Sequence, residues 1–408
     1  MRLPARPGSQ NQSHFSRISC LEPSSDSPVE QKCIGQGESA FELLCKSETP
    51  EHGTPGARMI RYCGSGVLFF VVMTLALGQE PASPLDKIDP AKLPPAMRPA
   101  KGTSTEAIVN LSQKIDRVDC FAFRGDGKFL AISGPDQSIR VWGTEGLKLN
   151  WNVKQPESIV CLTFPPEGKT LVAGDAGGTI RIWDKSDTKL LAPKAVFPAH
   201  KDGPVWVVAA SPDGKRLASG GRDKALKLWD LSKPKPMLIS TLNVHSDDVR
   251  GIAFSPDGSH LISVSPEEKQ LRVWDTSGDK PKSGEVVKLP AGAIGVNFSP
   301  DGKSIVLAGS RGTGAVWSFK DGKVDDPVDL ETEKRAILMA NFSADGSLIA
   351  GVLAHSRTED RVVVWTRDGK KKHEFKYDAH VPAAGFAPDN KHLVAVTDAG
   401  TFIIRLPK

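Results

Sequence analysis

The sequence predicts an all-β protein, a seven-bladed β-propeller of four-stranded antiparallel blades whose last blade is completed by an N-terminal strand. Three observations carry this expectation. A five-residue turn, Phe-Ser-Pro-Asp-Gly at 254–258, recurs in related forms that end at Gly127, Gly168, Gly214, Gly258, Gly302, Gly346 and Asn390. The seven copies are separated by 41, 46, 44, 44, 44 and 44 residues. Each lies between two short apolar runs, and in six units a third run ends in Trp: Trp142, Trp183, Trp229, Trp274, Trp317 and Trp365. A period of about 40–45 residues with four strands per unit is the mark of propeller blades.

Each element within a unit has a local cause. Pro presets φ, Asp bonds its own backbone, and the last turn position calls for a left-handed conformation that Gly accepts and Asn tolerates. The turn joins an apolar run such as "VRGIAF" to a second such as "HLISV", and a further turn leads to the strand that ends in Trp. A fourth segment, 149–153 or 237–242 for example, then leads into the next unit. The seventh unit stops at "TFIIRLPK", one strand short. Residues 106–111, "EAIVNL", precede the first unit and have no other partner, so they are expected to pair there and remove the exposed edge.

The first quarter of the chain is of another kind. Residues 1–58 are polar, rich in Ser, Pro, Gly and Glu, and lack any period that would bury a face, so they read as disordered or as a mis-annotated extension. Residues 59–78 combine Arg61, an apolar run over 67–77, and the small residues Ala76 and Gly78, which together describe a secretory signal peptide cut after Gly78. The simplest account starts translation at Met59; the alternative leaves 67–77 as an uncleaved anchor with Arg58 and Arg61 on its inner side. Either account places the propeller outside the cytoplasm. Residues 79–104 carry enough proline to exclude a long helix or strand and read as a linker. The propeller is expected over 105–408.

Bulk composition is that of an ordinary globular protein: 39% apolar, 25% charged, formal net charge +5 over 408 residues. Nothing in it asks for nucleic acid, and Lys370-Lys371-Lys372 reads as a solvated hairpin tip. Cys20, Cys33, Cys45 and Cys63 precede the expected cut and lack the close pairing of a zinc site. Cys120 and Cys161 occupy equivalent places in the first two units. They read as two small buried thiols, with a disulfide as the alternative.

In "HKDGPVWVVAASPDGKRLASGGRDKALKLWDLS" the unit resembles the WD-repeat (WD40) family, taken here as its exported bacterial type. The resemblance spans about 105–408. It implies a buried hydrogen-bonded set, His200, Ser219, Asp223 and Trp229, that satisfies polar groups inside the sheet packing. The fourth unit offers His245, Ser263, Glu268 and Trp274, with Glu where Asp is usual. The other units keep mainly their Trp, and the seventh has Arg405 at that position. His380 is read as structural and His355 as solvated.

No phosphate-binding loop, HExxH, GxSxG or paired CxxC occurs, so no catalytic residue, metal or cofactor is expected. Five residues before each tetrad that closes a turn stand Asp119, Val160, Trp206, Arg250, Ile294, Leu338 and Pro382, at the expected mouth of the central channel. Trp206, Arg250, Ile294 and Leu338, joined by Arg222, mix aromatic, Arg and aliphatic groups as interface hot spots do. Arg140, Arg181, Lys227 and Arg272, two residues before a Trp, are expected to cover it with their stems while their heads reach water. The reading is a monomeric, non-enzymatic scaffold for a protein or peptide partner. The alternatives are a propeller-based hydrolase or lyase and an envelope-polymer binding module.

Overall fold

The computed structural model describes residues 59–61, 70–72, 83–93, 107–111, 118–166, 168–184, 192–310, 313–354, 360–397 and 400–407. Residues 1–58, the expected cleavage site at Gly78 and His355 lie outside the described residues. Within the expected leader, Met59–Arg61 and Phe70–Val72 pair as a two-stranded antiparallel sheet.

Seven four-stranded antiparallel sheets follow, as expected. Blade 3 shows the plan: Val205–Ala210 is the inner strand, and Arg216–Gly221, Leu226–Asp230 and Met237–Leu242 lead outward. The remaining blades cover 120–154, 159–198, 251–288, 293–329, 337–377 and 383–405. Blade 7 has three strands of its own, Ala383–Phe386, His392–Thr397 and Gly400–Arg405. Its fourth is Ala107–Asn110, which pairs antiparallel with register Ala107↔Ile404, Val109↔Ile403 and Asn110↔Phe402. Leu111 N–H adds a bond to Thr401 O (2.8 Å), and the Leu111 side chain is fully buried.

The repeated turn has the backbone that its sequence demands. Its closing residue is left-handed in all seven copies, with φ from +57° at Asn390 to +74° at Gly346. In blade 3 the Ser211 hydroxyl bonds Asp213 Oδ1 (2.5 Å), which also accepts from Lys215 N–H (3.0 Å), while Arg216 N–H donates to Ser211 Oγ (2.8 Å). The turns also touch one another. A Cβ on Gly258 would stand 3.3 Å from Pro212 of the preceding blade, one on Gly302 3.4 Å from Pro256, and one on Gly346 3.1 Å from Pro300. The proline of one turn thus seats the glycine of the next.

The inner and middle strands bury both faces, because each blade packs on two neighbours. Cores form at successive interfaces, one from Val207, Ala209, Leu226, Ile252, Phe254 and Trp274, for instance. The largest joins blades 6, 7 and 1, and it includes a segment that the sequence reads as free linker. Pro84–Lys87 and Pro90–Lys92 are single-turn 3₁₀ helices, the first closed by a capping box between Ser83 and Asp86. Leu85 is 2% exposed, with Ile88 and Leu93 packed against the same core. Ser83 Oγ bonds Asp389 Oδ2 (2.5 Å), and Arg405 pairs with Asp86 (3.3 Å). Proline does exclude long elements here, but it leaves room for a short strap across blade 7.

The pairing across blade 7 also corrects one expectation. Leu393 faces Ile404, as Leu217 faces Trp229 in blade 3. Ile404, fully buried, therefore holds the Trp position, and Arg405 points outward to the strap. The turn before this strand is one residue shorter than in blade 3, which shifts the count.

A chain that begins at residue 114 lacks both seam strand and strap and is expected to melt lower and aggregate more readily than one that begins at 81; equal melting by calorimetry refutes the seam. Leu85→Ala is expected to cost about 2–5 kcal/mol in urea unfolding. Leu238→Ala, at a half-exposed outer-strand site, should change stability by no more than about 0.5 kcal/mol.

Candidate functional site

The family resemblance implies two buried sets, and both assemble. In blade 3, Trp229 Nε1–H donates to Ser219 Oγ (2.9 Å), the Ser219 hydroxyl meets His200 Nε2 (2.8 Å), and His200 Nδ1 meets Asp223 Oδ1 (2.7 Å). With the carboxylate facing Nδ1, the proton sits on Nδ1 and Nε2 accepts from the hydroxyl. Blade 4 repeats the chain through Trp274 and Ser263 (3.0 Å), Ser263 and His245 (2.8 Å), and His245 and Glu268 (2.7 Å). The longer Glu reaches because this turn carries one more residue. Gly221 makes room for the first set: a Cβ there would stand 2.4 Å from the His200 ring.

Burial lowers both imidazoles below their ordinary value, and their carboxylate partners offset this only in part. Burial pushes the Asp223 and Glu268 carboxyls up, but bonds from His200 to the first, and from Ser246 N–H and His245 to the second, outweigh it and hold both low. The histidines are neutral spacers between a hydroxyl and a carboxylate. His380 differs: its Nδ1 meets Asp360 of the preceding blade (2.7 Å), and its side chain is 43% exposed.

In the other blades the serine position opposite the Trp-bearing strand holds Ile132, Ala173, Leu307, Gly351 and Ala395. Without the hydroxyl, the indole N–H groups of Trp142, Trp183 and Trp317 have no partner among the described residues, whereas Trp365 donates to Glu331 O (2.9 Å). The basic residues two positions before a tryptophan pair with turn acids whether or not the set is complete. Arg140 pairs with Asp136 (2.5 Å), Arg181 with the fully buried Asp175, Lys227 with Asp223 (3.4 Å) and Arg272 with Glu268 (3.5 Å). Their heads are thus engaged with turn acids and do not simply reach water.

All seven positions counted along the repeat line one cavity of about 180 Å³ at the centre of the ring. In blades 2, 3, 5 and 6 the device that aims them is a β-bulge. Inner-strand pairing skips Val160, Trp206, Ile294 and Leu338, and in blade 4 regular pairing starts at Gly251, just after Arg250. An extra residue on one strand is released from the sheet and re-aimed. The Arg250 guanidinium lies 4.0 Å above the Trp206 ring, and Asp248 holds both, Trp206 Nε1–H at 2.8 Å and Arg250 at 3.3 Å. Ile294 and Leu338 stand half-buried on the adjoining blades. Arg222 stays outside the cavity, on the neighbouring turn over Gly203.

Deeper in the cavity are residues that the sequence reading missed, Asn297 and Asn341 among them. Cys120 and Cys161 also line it, and both are free thiols, so the disulfide alternative is not formed. Cys161 Sγ lies 3.3 Å from Val205 O. Burial pushes the Cys161 thiol up to about 12 and that of Cys120 well above its ordinary value, which keeps both protonated and unreactive. Among the described residues no group of three or more His, Cys, Asp or Glu side chains is placed to hold a metal ion.

With this geometry in place, comparison with known proteins shows what part of the chain resembles. Residues 110–143, 149–184, 191–230 and 237–275 match the family model described as WD domain, G-beta repeat. Four stretches of the chain thus match this repeat, and they lie on a seven-bladed propeller. It is 36% identical over 74 residues to an uncharacterized WD repeat-containing protein of Synechocystis, covering 17% of this chain and 20% of that protein. It is 32% identical over 94 residues to the periodic tryptophan protein 2 homolog of Schizosaccharomyces pombe, 22% of this chain and 10% of that one. A third relative is WD repeat and SOCS box-containing protein 1 of Takifugu rubripes, 33% identical over 86 residues, 20% of this chain and 19% of that protein. The chain thus spans a fifth or less of the length of these relatives.

Ser219→Ala strands the Trp229 N–H and His200 Nε2 and is expected to cost about 1–3 kcal/mol. Stability should also fall on acidification. The unfolded histidines bind a proton below about pH 6.5 while the folded ones resist it, and the two carboxyls lose their native bonds below about pH 4, in the same direction. A His200→Gln, His245→Gln variant should show a flatter loss of urea midpoint between pH 7 and pH 5; an unchanged slope contradicts the neutral-histidine assignment.

Proposed function

We propose that the chain is a non-enzymatic, extracytoplasmic scaffold that binds a protein or peptide segment at the channel mouth. One observation carries this reading: the repeat and its bulges bring seven dissimilar residues to a single opening, where Asp248 fixes a Trp206–Arg250 stack beside the aliphatic Ile294 and Leu338. A rigid aromatic and a guanidinium held in advance lose little entropy on binding, which is what an interface anchor needs. The named relatives are WD repeat proteins, which fits a binding role. The extracytoplasmic part rests on the leader sequence at 59–78 alone.

A randomised heptapeptide library panned against the full chain is expected to yield peptides whose binding falls at least about tenfold in a Trp206→Ala, Arg250→Ala variant. Equal binding by the variant rejects this surface. N-terminal sequencing of the exported protein is expected to start at Gln79; a start before residue 67 replaces cleavage with the anchor.

A further inference from the structure

At the other end of the inner strands from the mouth, the repeated turns of blades 2 and 3 flank a groove of about 240 Å³. Its charged lining is one-sided: Lys169, Lys194, Lys215 and Lys233, all exposed, stand there with a single acid, Asp184. That acid already pairs with Lys194, at 3.7 Å. Four lysines against one aspartate make a surplus of three positive charges at one groove, where the whole chain has a formal net charge of +5. The repeat does not impose this. At the same inter-blade position between blades 4 and 5 the groove is lined by Asp257, Asp301 and Asp321 against Lys303 and Lys320.

The groove between blades 2 and 3 also has an apolar floor. Ile182 and Leu231 rise into it from the core that joins the two blades, and Pro234 and Pro236 line one wall. Proline fixes φ, so this wall is held before anything binds. Leu238 lies two residues beyond Pro236, and strand alternation sets both on one side. It pairs opposite Trp229, whose ring tilts on Phe197 of blade 2 (4.8 Å), and it is 50% exposed. An exposed apolar strip rimmed by charge of one sign marks an interaction surface.

We infer that this groove docks an acidic protein segment, a stretch in which an apolar side chain is flanked by Asp or Glu. The apolar group covers Leu231, Pro234 and Leu238, and the flanking carboxylates meet the lysines. The chemistry is selective. A basic segment sets like charges together, a neutral polar one leaves the strip wet, and a plain polyanion gains nothing from the apolar floor. Lysine suits the rim, since its long stem packs on apolar surface while the ammonium reaches outward. The docking surface is separate from the channel mouth, and the inference does not depend on what binds there.

The test titrates three fluorescein-labelled pentapeptides into the full chain and follows anisotropy. The leucine peptide is Glu-Glu-Leu-Glu-Glu, the serine peptide replaces its Leu by Ser, and the basic peptide replaces each Glu by Lys. The leucine peptide is expected to bind at least about tenfold more tightly than the basic one and at least about threefold more tightly than the serine one. A Lys215→Glu, Lys233→Glu variant should weaken it at least about tenfold. A Lys303→Glu, Lys320→Glu variant, with the same change in net charge placed at the other groove, should bind it within about twofold of the unaltered chain. Leu238→Ala should remove most of the advantage of leucine over serine. No saturable binding of the leucine peptide below about 1 mM overturns the inference, and so does an equal loss in both charge variants, which reports net charge alone. Equal binding of the leucine and serine peptides, with displacement of both by inorganic polyphosphate, assigns the groove to a polyanion and overturns it as well. Should the first variant not fold, the ranking of the three peptides and the effect of Leu238→Ala decide.

Discussion

Closure of the ring is the constraint on which everything else depends. Seven wedge-shaped sheets bury their faces only if the seventh also meets the first, and the chain achieves this with Ala107–Asn110 paired on Gly400–Arg405. The seam is reinforced twice, by Leu111 inside the sheet and by Leu85 beneath it. Contacts between residues some 300 positions apart are slow to form, because the intervening loop must be closed before they stabilise anything. A seam with three separate attachments compensates for that late arrival.

The sequence unit and the structural unit are therefore out of phase by one strand. The match at 149–184 begins in the outer strand of blade 1, Lys148–Lys154, and ends in the third strand of blade 2, Thr179–Asp184. Each repeat thus bridges two blades, and unfolding one blade exposes its neighbours. The left-handed turns work in the same sense. Because Pro212 meets Gly258 and Pro256 meets Gly302, a turn sets the spacing between blades as well as the reversal within one. This answers why one tetrad recurs: the contact is between copies, so each copy must fit the last.

Much of this was legible from residues. The turn at Asn390 was readable as left-handed because Asn is the usual substitute for Gly, and the seam was readable because a sheet edge and an orphan apolar segment occurred together. The two hydrogen-bonded sets followed from the resemblance in blades 3 and 4. What stayed hidden depends on side chains meeting across long separations. Nothing local marks Leu85 as buried, since its neighbours are the prolines and charges of a linker. Nothing local distinguishes Asp248 from other acids of a polar loop, and only the fold sets it beside Trp206, 42 residues away in the chain. Arg405 was misplaced by one residue because a count along the sequence cannot see a shortened turn.

The bulges explain how a repetitive frame comes to hold a particular site. Inside the sheets a position must suit its counterparts: Phe123, Phe254 and Phe386 are all fully buried at one level. A residue pushed out of pairing escapes that demand. At the mouth the same register holds Asp119, Val160, Trp206, Arg250, Ile294, Leu338 and Pro382, seven different residue types in seven blades. Symmetry of the backbone thus delivers side chains to one point without dictating what they are. The frame can tolerate unsatisfied indoles in blades 1, 2 and 5 because closure and turn stacking carry the fold. The positions where the repeat imposes least are thus the residues released from pairing in blades 2, 3, 5 and 6, and those that precede the inner strand in the other three.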